Sequence, residues 1–191
     1  MLVKVDMRNA FNSISRDLML NIVKRVCPSV LPFLNAVYHS PILLVAANCE
    51  SSFLMQEGGA QGDPSMPALF CFALSAIVSH CGKLPEGVLL PKYIDDMHIC
   101  IPSPGLLGDV MLWLDSFSST AAKFGLVLNE NKTTLIARSD DIISVSWPGM
   151  RVNVDTDCAE LLGVPYSDIS VCARDKLRSI LSAVSCNLDK F

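Results

Sequence analysis

Three carboxylates in this sequence could act together: Asp6, which follows the alternating stretch Leu2 to Val5, and the adjacent Asp95 and Asp96, which stand between two apolar segments. Strand ends can deliver side chains far apart in sequence to one edge of a sheet. Oxygen ligands of this kind suit Mg²⁺, and two such ions about 3.5–4 Å apart can activate a nucleophile while stabilising a leaving oxygen. Taken alone, an acidic pair between apolar segments is usually turn chemistry, so the pair by itself assigns nothing. Other constellations are weaker. His80, Cys81, His98 and Cys100 lie at spacings unlike a zinc module, and their ordinary reading is as satisfied core or surface residues. The glycine-rich stretch at 58–62 lacks the Gly-Lys-Ser/Thr of a P-loop. There is no GxSxG elbow, and the three histidines have no nucleophile at recognisable spacing, which argues against a hydrolase.

The elements that must position these residues follow from periodicity and punctuation. Leu2 to Val5 read as a strand that carries Asp6 to its end. A loop follows, and Ser15 then caps a helix with Asp17 in its first turn and Leu18, Ile22 and Val26 on one face, ending near Cys27 and Pro28. A second helix covers Val30 to His39, and Ile42 to Ala47 with Ser52 to Gln56 form a hairpin. Asp63 before Pro64 predicts an N-cap opening an apolar helix through Ser79. Val88 to Ile94 and Met97 to Ile101 predict a hairpin with Asp95 and Asp96 at its tip. Gly105 to Phe124 is an amphipathic helix stopped by Gly125. Thr133 to Ala137, Ile142 to Trp147, Arg151 to Val154 and Leu161 to Val164 are strand candidates, and Val171 to Leu188 reads as a last helix. The sum is an α+β fold with helices packed on one face of an antiparallel sheet.

Composition sets the outer bounds. A chain of 191 residues, 51% of them hydrophobic, is enough for one substantial core and short for two. No apolar run reaches the roughly 20 residues that span a bilayer. The longest, Met66 to Val78, is interrupted by Pro67 and Ser75 and reads as a buried helix, so no membrane partner is expected. Lys4 and Asp6 inside the first apolar stretch exclude a secretion signal there, and eight cysteines without a CxxC pair read as free thiols in a reducing compartment, inside the cell. The formal charge of −4 is unfavourable for gripping a polyanion, since Lys and Arg supply most nonspecific affinity for phosphates.

Read in order, Asp6-Met-Arg-Asn-Ala-Phe-Asn, Gly59-Ala-Gln-Gly-Asp-Pro, Tyr93-Ile-Asp-Asp, Phe124-Gly-Leu-Val-Leu-Asn with Lys132-Thr, and Leu161-Leu-Gly-Val-Pro resemble successive motifs of reverse transcriptases. The stretches DMRNAFNSISRDL and GGAQGDPSMPALF resemble the enzymes of non-LTR retrotransposons rather than retroviral ones. The resemblance covers residues 2 to 166, so 1–166 are expected to form a reverse-transcriptase palm and 167–191 the start of a thumb or a connecting helix.

The resemblance implies an RNA-directed DNA polymerase that uses Mg²⁺, or Mn²⁺ in its place, with an RNA template, a DNA primer and deoxynucleotides as partners. Asp6 and Asp95 would be the principal metal ligands and Asp96 the second acid of the hairpin. Backbone N–H groups of Met7, Arg8, Asn9 and Ala10 would cradle the triphosphate. Phe11 would exclude a ribose 2′-hydroxyl, with core packing as its alternative. Gln61 would lie against nucleotide and template, with Gly62 allowing close backbone approach. Tyr93 would brace the primer end, unless it is half-buried structure, and Lys132 would protonate departing pyrophosphate, unless it is an ordinary loop lysine. Ser65-Met66 and Met97-His98 depart from the family pattern in ways that look tolerable. The basic fingers that would precede the first motif and most of the thumb are expected to be missing, which would explain the acidic charge. If the palm belongs to an active retroelement, it would work in the nucleus. The competing reading is a noncatalytic remnant of a retroelement, acting at most as a binding or structural module.

Overall fold

The computed structural model describes residues 1–45, 51–60 and 62–137, together with the strand backbones at 153–155, 159–161 and 164–166. Its centre is strand β1, Leu2–Val5, whose alternation sends Val3 and Val5 into the core and leaves Lys4 on the other face. On one side β1 pairs antiparallel with β6, Asp96–Cys100, in the register Val3↔Ile99 and Val5↔Met97. On the other it pairs antiparallel with β8, Thr134–Ile136, placing Val3 opposite Leu135. β5, Lys92–Tyr93, extends one edge, and β9, Asn153–Asp155, adds to β8 in parallel, giving the order β5-β6-β1-β8-β9. Val3, Val5, Met97, Ile99 and Leu135 share one face and join the helix side chains in a single core. Burying a side chain of this size stabilises by about 1.5–3 kcal/mol, so that face fixes the register of the whole sheet.

The helices are drawn onto that face by apolar stripes. α2, Arg16–Val26, begins where the Ser15 hydroxyl accepts from the Leu18 N–H at 3.2 Å, the cap that the sequence predicts. Its buried face is Arg16, Met19, Ile22 and Val23, rotated from the predicted Leu18–Ile22–Val26 line, and Val26 is exposed. α3 is Leu31–Tyr38, entered through a 3₁₀ turn at Pro28–Val30. α4, Met66–His80, buries Met66, Leu69, Phe70, Ala73, Leu74 and Ile77, a stripe of helical spacing. α5, Leu107–Ala122, stacks Trp113 on Phe117 at 5.6 Å, and the Trp113 indole donates to the Gly82 carbonyl at 3.1 Å.

Several expectations need correcting. The regular turns of α4 start at Met66, later than expected, but Asp63 caps the turn that leads into it: its carboxylate accepts the Ser65 N–H at 2.8 Å. The segment Val88 to Ile94 is a strand only at β5, with one further bridge from Leu89 to Cys100. The loop expected after Asp6 contains structure: β2, Met7–Arg8, pairs with β7, Val127–Leu128, and α1 covers Ala10–Ser13. The hairpin of β3, Ile42–Val45, with β4, Ser52–Met55, is present, as is one between β10, Ala159–Leu161, and β11, Val164–Tyr166. The strand expected at 142–147 and the helix expected at 171–188 lie outside the described residues. Among the described residues, no helix is long and apolar enough to cross a membrane.

Two glycines lock the segment after Asp6 against its neighbours. Gly125 follows α5 at φ 82, and a Cβ there would stand 2.0 Å from the Ser13 carbonyl oxygen. Gly58, at φ 60, would place a Cβ 2.2 Å from the Phe11 carbonyl oxygen. That contact is with backbone, which cannot swing away. Gly58→Ala therefore combines left-handed strain with overpacking and should cost at least about 2 kcal/mol, a fall in Tm of roughly 4–8 °C for a chain of this size. Thermal melting checks this, and an unchanged Tm would mean the turn at 58 can separate freely from Phe11.

Candidate functional site

The geometry of the site is set by one register. Lys4↔His98 and Val5↔Met97 are paired, so one step further along the two strands Asp6 stands opposite Asp96. Alternation puts both on the face away from the core, with Lys4 and His98. The Asp6 peptide is pinned by the turn that precedes β8: its N–H donates to Thr133 Oγ1 at 3.3 Å and its carbonyl accepts from the Asn129 N–H at 2.8 Å. Thr133 is fully buried, so this anchor does not depend on solvent. Lys132 is exposed in the turn that precedes β8, where its N–H donates to the Asn129 carbonyl at 3.1 Å.

Asp95 sits in the turn joining Tyr93 to Asp96, which are paired across β5 and β6. The residue before it, Ile94, has φ 57, a conformation a β-branched residue holds only when its surroundings compel it. Ile94 packs against the core, and that burial offsets the strain while leaving Asp95 exposed at the tip. Tyr93 is 62% exposed, which removes the half-buried structural alternative for its side chain. The strand ends bearing Asp6 and Asp96 thus meet; among the described residues, no group of three His, Cys, Asp or Glu side chains stands close enough to hold a metal ion. The donors at this end of the sheet are nonetheless carboxylate oxygens, the ligand type that suits Mg²⁺. Burial pushes the His98 pKa below the ordinary imidazole value, against an opposing pull from Asp96 and with a further push from Lys4, which favours the neutral ring.

The remaining predicted residues divide. Met7 is buried and Arg8 exposed in the β2–β7 pair, and Asn9 turns the chain at φ 46 into α1. The N–H groups of Ala10 and Phe11 lie in the first turn of α1, where intrahelical partners are lacking. Phe11 is half-buried, its ring 5.0 Å from that of Phe70, and its carbonyl accepts from the Gly59 N–H at 2.9 Å. It therefore has a packed side and an open side. Gly62 is exposed at φ 94, with open space where a Cβ would be, and Gln61 lies outside the described residues.

Sequence reasoning missed a polar network beside these residues. Arg16 is only 5% exposed; its Nε donates to the Gly58 carbonyl at 2.8 Å and its Nη1 to the Ser40 carbonyl at 2.9 Å. The guanidinium lies 5.5 Å from the centre of the Tyr38 ring, and the Tyr38 hydroxyl donates to Asp63 Oδ2. Burial raises the Tyr38 pKa, and the bond to Asp63 raises it further. Burial works to raise that of Asp63, but bonds from Ser65 and Tyr38 outweigh it and leave the pKa lowered. A signal was available: a basic residue in the first turn of a helix opposes the helix dipole and needs a reason to be there.

Comparison with known proteins gives a consistent picture. A family model described as reverse transcriptase (RNA-dependent DNA polymerase) matches residues 1–166. The sequence has no significant match among curated proteins. Solved structures with similar folds include telomerase from Candida albicans in complex with a TWJ fragment of telomeric RNA, with a TM-score of 0.58 at 14% identity over 86% of this chain. Apo telomerase from Candida tropicalis gives a TM-score of 0.64 at 13% identity, again over 86% of this chain. The same telomerase truncated of its C-terminal domain gives 0.62 at 14% identity over 86% of this chain. This chain covers 28%, 30% and 33% of those three chains respectively.

Proposed function

This chain belongs to the reverse transcriptase family, and from that premise we propose that residues 1–166 are the palm of an RNA-directed DNA polymerase of the non-LTR retrotransposon type. The observation that carries the reading is the register that brings Asp6 alongside Asp96, with Asp95 at the adjoining tip, in a chain of this family. The motifs DMRNAFNSISRDL and GGAQGDPSMPALF support the non-LTR assignment.

The reaction is attack of a primer 3′-hydroxyl on the α-phosphate of a deoxynucleotide, with pyrophosphate leaving. Asp6 and Asp95 would hold Mg²⁺, with Asp96 as the adjacent acid. When bound, the ion supplies positive charge to the phosphate oxygens. Backbone N–H groups of Met7, Arg8, Asn9 and Ala10 receive the triphosphate, and the open side of Phe11 excludes a 2′-hydroxyl. Exposed Tyr93 supports the primer end, and Lys132, in the turn that follows the Asn129 contact to Asp6, gives a proton to the departing pyrophosphate. Most of the catalytic effect is positioning and charge stabilisation.

The test is a chimaera in which residues 1–166 replace the palm of an active non-LTR reverse transcriptase. Extension of a DNA primer on an RNA template supports the reading. A folded but inactive chimaera favours the alternative, a noncatalytic retroelement remnant. The 191 residues alone are expected to extend no primer. With net charge −4 they neutralise few phosphates and release few counterions. A reactant displaced by about 1 Å costs roughly a hundredfold in rate. Extension by this chain that vanished in Asp95→Asn would overturn that expectation.

A further inference from the structure

The Arg16 network carries the desolvation cost of a buried charge. Its guanidinium is almost wholly buried, and its Nη2 makes no hydrogen bond. The carboxylate of Glu57 is the counter-charge beside it, accepting the Arg16 backbone N–H at 2.9 Å. Burial lowers the pKa of Arg16, which measures how unfavourable the charged form is there. Removing the guanidinium alone would leave the Gly58 and Ser40 carbonyls without their donor and the Glu57 carboxylate without its counter-charge, a cost that an apolar side chain of similar volume does not recover.

What the network does provide is a fixed distance. Through Nε it holds the Gly58 carbonyl, while the Gly58 N–H donates to Ile14 and the Gly59 N–H to Phe11, at 2.8 and 2.9 Å. Tyr38 lies beneath the guanidinium, 2% exposed, and reaches across to Asp63. Asp63 in turn accepts from the Ser65 N–H at 2.8 Å and the Ser65 hydroxyl at 2.6 Å, just before α4. Phe70, which the Phe11 ring contacts, is on α4. Both contacts that place Phe11, the Gly59 amide and the Phe70 ring, are therefore tied to one buried relay.

We propose that Arg16, Tyr38 and Asp63 form a positioning relay that fixes Phe11 against Gly58–Gly59 and α4, and so sets how strongly the nucleotide site discriminates deoxyribose from ribose. The sugar-selection part rests on the palm reading. Arg16 and Tyr38 act through Phe11 and touch no substrate.

The test uses the 191-residue chain with Tyr38→Phe, which keeps the ring under Arg16 and loses the bond to Asp63, and with Arg16→Met. Amide hydrogen exchange should accelerate about fivefold to tenfold at Gly58, Gly59 and Ser65 in both variants while the strands of the central sheet keep their protection. The Tm of Tyr38→Phe should fall by no more than about 4 °C, and that of Arg16→Met should fall further, because the Gly58 and Ser40 carbonyls lose their donor. A purely structural role predicts exchange rising throughout the chain, the central sheet included, in both variants. Unchanged exchange at Gly58 and Gly59 overturns the relay, whatever nucleotides do. Single-turnover incorporation of dATP and ATP by the chimaera carrying residues 1–166 provides the second arm. The preference of the unsubstituted chimaera for dATP should narrow about fivefold or more with Tyr38→Phe. Accelerated exchange with an intact preference overturns the sugar-selection role alone. If the folded unsubstituted chimaera incorporates neither nucleotide, the palm reading fails and the sugar-selection role with it, while the exchange result still decides the relay.

Discussion

Asp95→Asn or Asp6→Asn in the chimaera carrying residues 1–166 should lower primer extension by on the order of a thousandfold, with little change in folding. Asparagine keeps the shape and removes the charge. Asp95 is exposed at the tip of its turn and Asp6 is held through its backbone, by Thr133 and Asn129, so neither carboxylate is needed for the fold. The loss should therefore fall on the chemical step, measured as single-turnover incorporation, with Tm preserved. Asp96→Asn tests the same arrangement from the opposite strand, since the register sets Asp96 against Asp6. A variant that kept more than about a tenth of the rate would remove that carboxylate from the metal set.

Phe11→Val should lower discrimination against ribonucleotides by about 10- to 100-fold, with deoxynucleotide incorporation largely spared. The magnitude follows from the roughly 1–3 kcal/mol that overpacking costs, which is the penalty the larger ring imposes on a 2′-hydroxyl. Phe11 also contacts Phe70, so the substitution should cost about 1–2 kcal/mol of stability. The two effects separate the two roles. Loss of stability with an unchanged ratio of ribonucleotide to deoxynucleotide incorporation would return Phe11 to the core. A changed ratio with a modest loss of stability would assign its open side to the sugar.

Local pattern decided which elements form and where the acids stand along them. Alternation in Leu2–Val5 made β1 with Asp6 at its end, Ser15 capped α2, and Gly125 ended the segment after α5, because these depend on periods and backbone preferences that a few neighbouring residues express. The ordered motifs identified the family from the same linear information. Tertiary structure decided the rest. The register that sets Asp6 against Asp96 depends on Val3 and Val5 finding Ile99 and Met97 across about 90 residues of chain, which no local period encodes. Asp63 before proline is legible as a helix cap, and one carboxylate oxygen does accept the Ser65 N–H, but the tie of its other oxygen to Tyr38, arriving from α3, is not. Arg16 stands at a helix start, yet it is buried because carbonyls from Ser40 and Gly58 converge there to receive its donors. A charged side chain is placed by the partners that desolvate with it, and those partners come together only when the chain is folded.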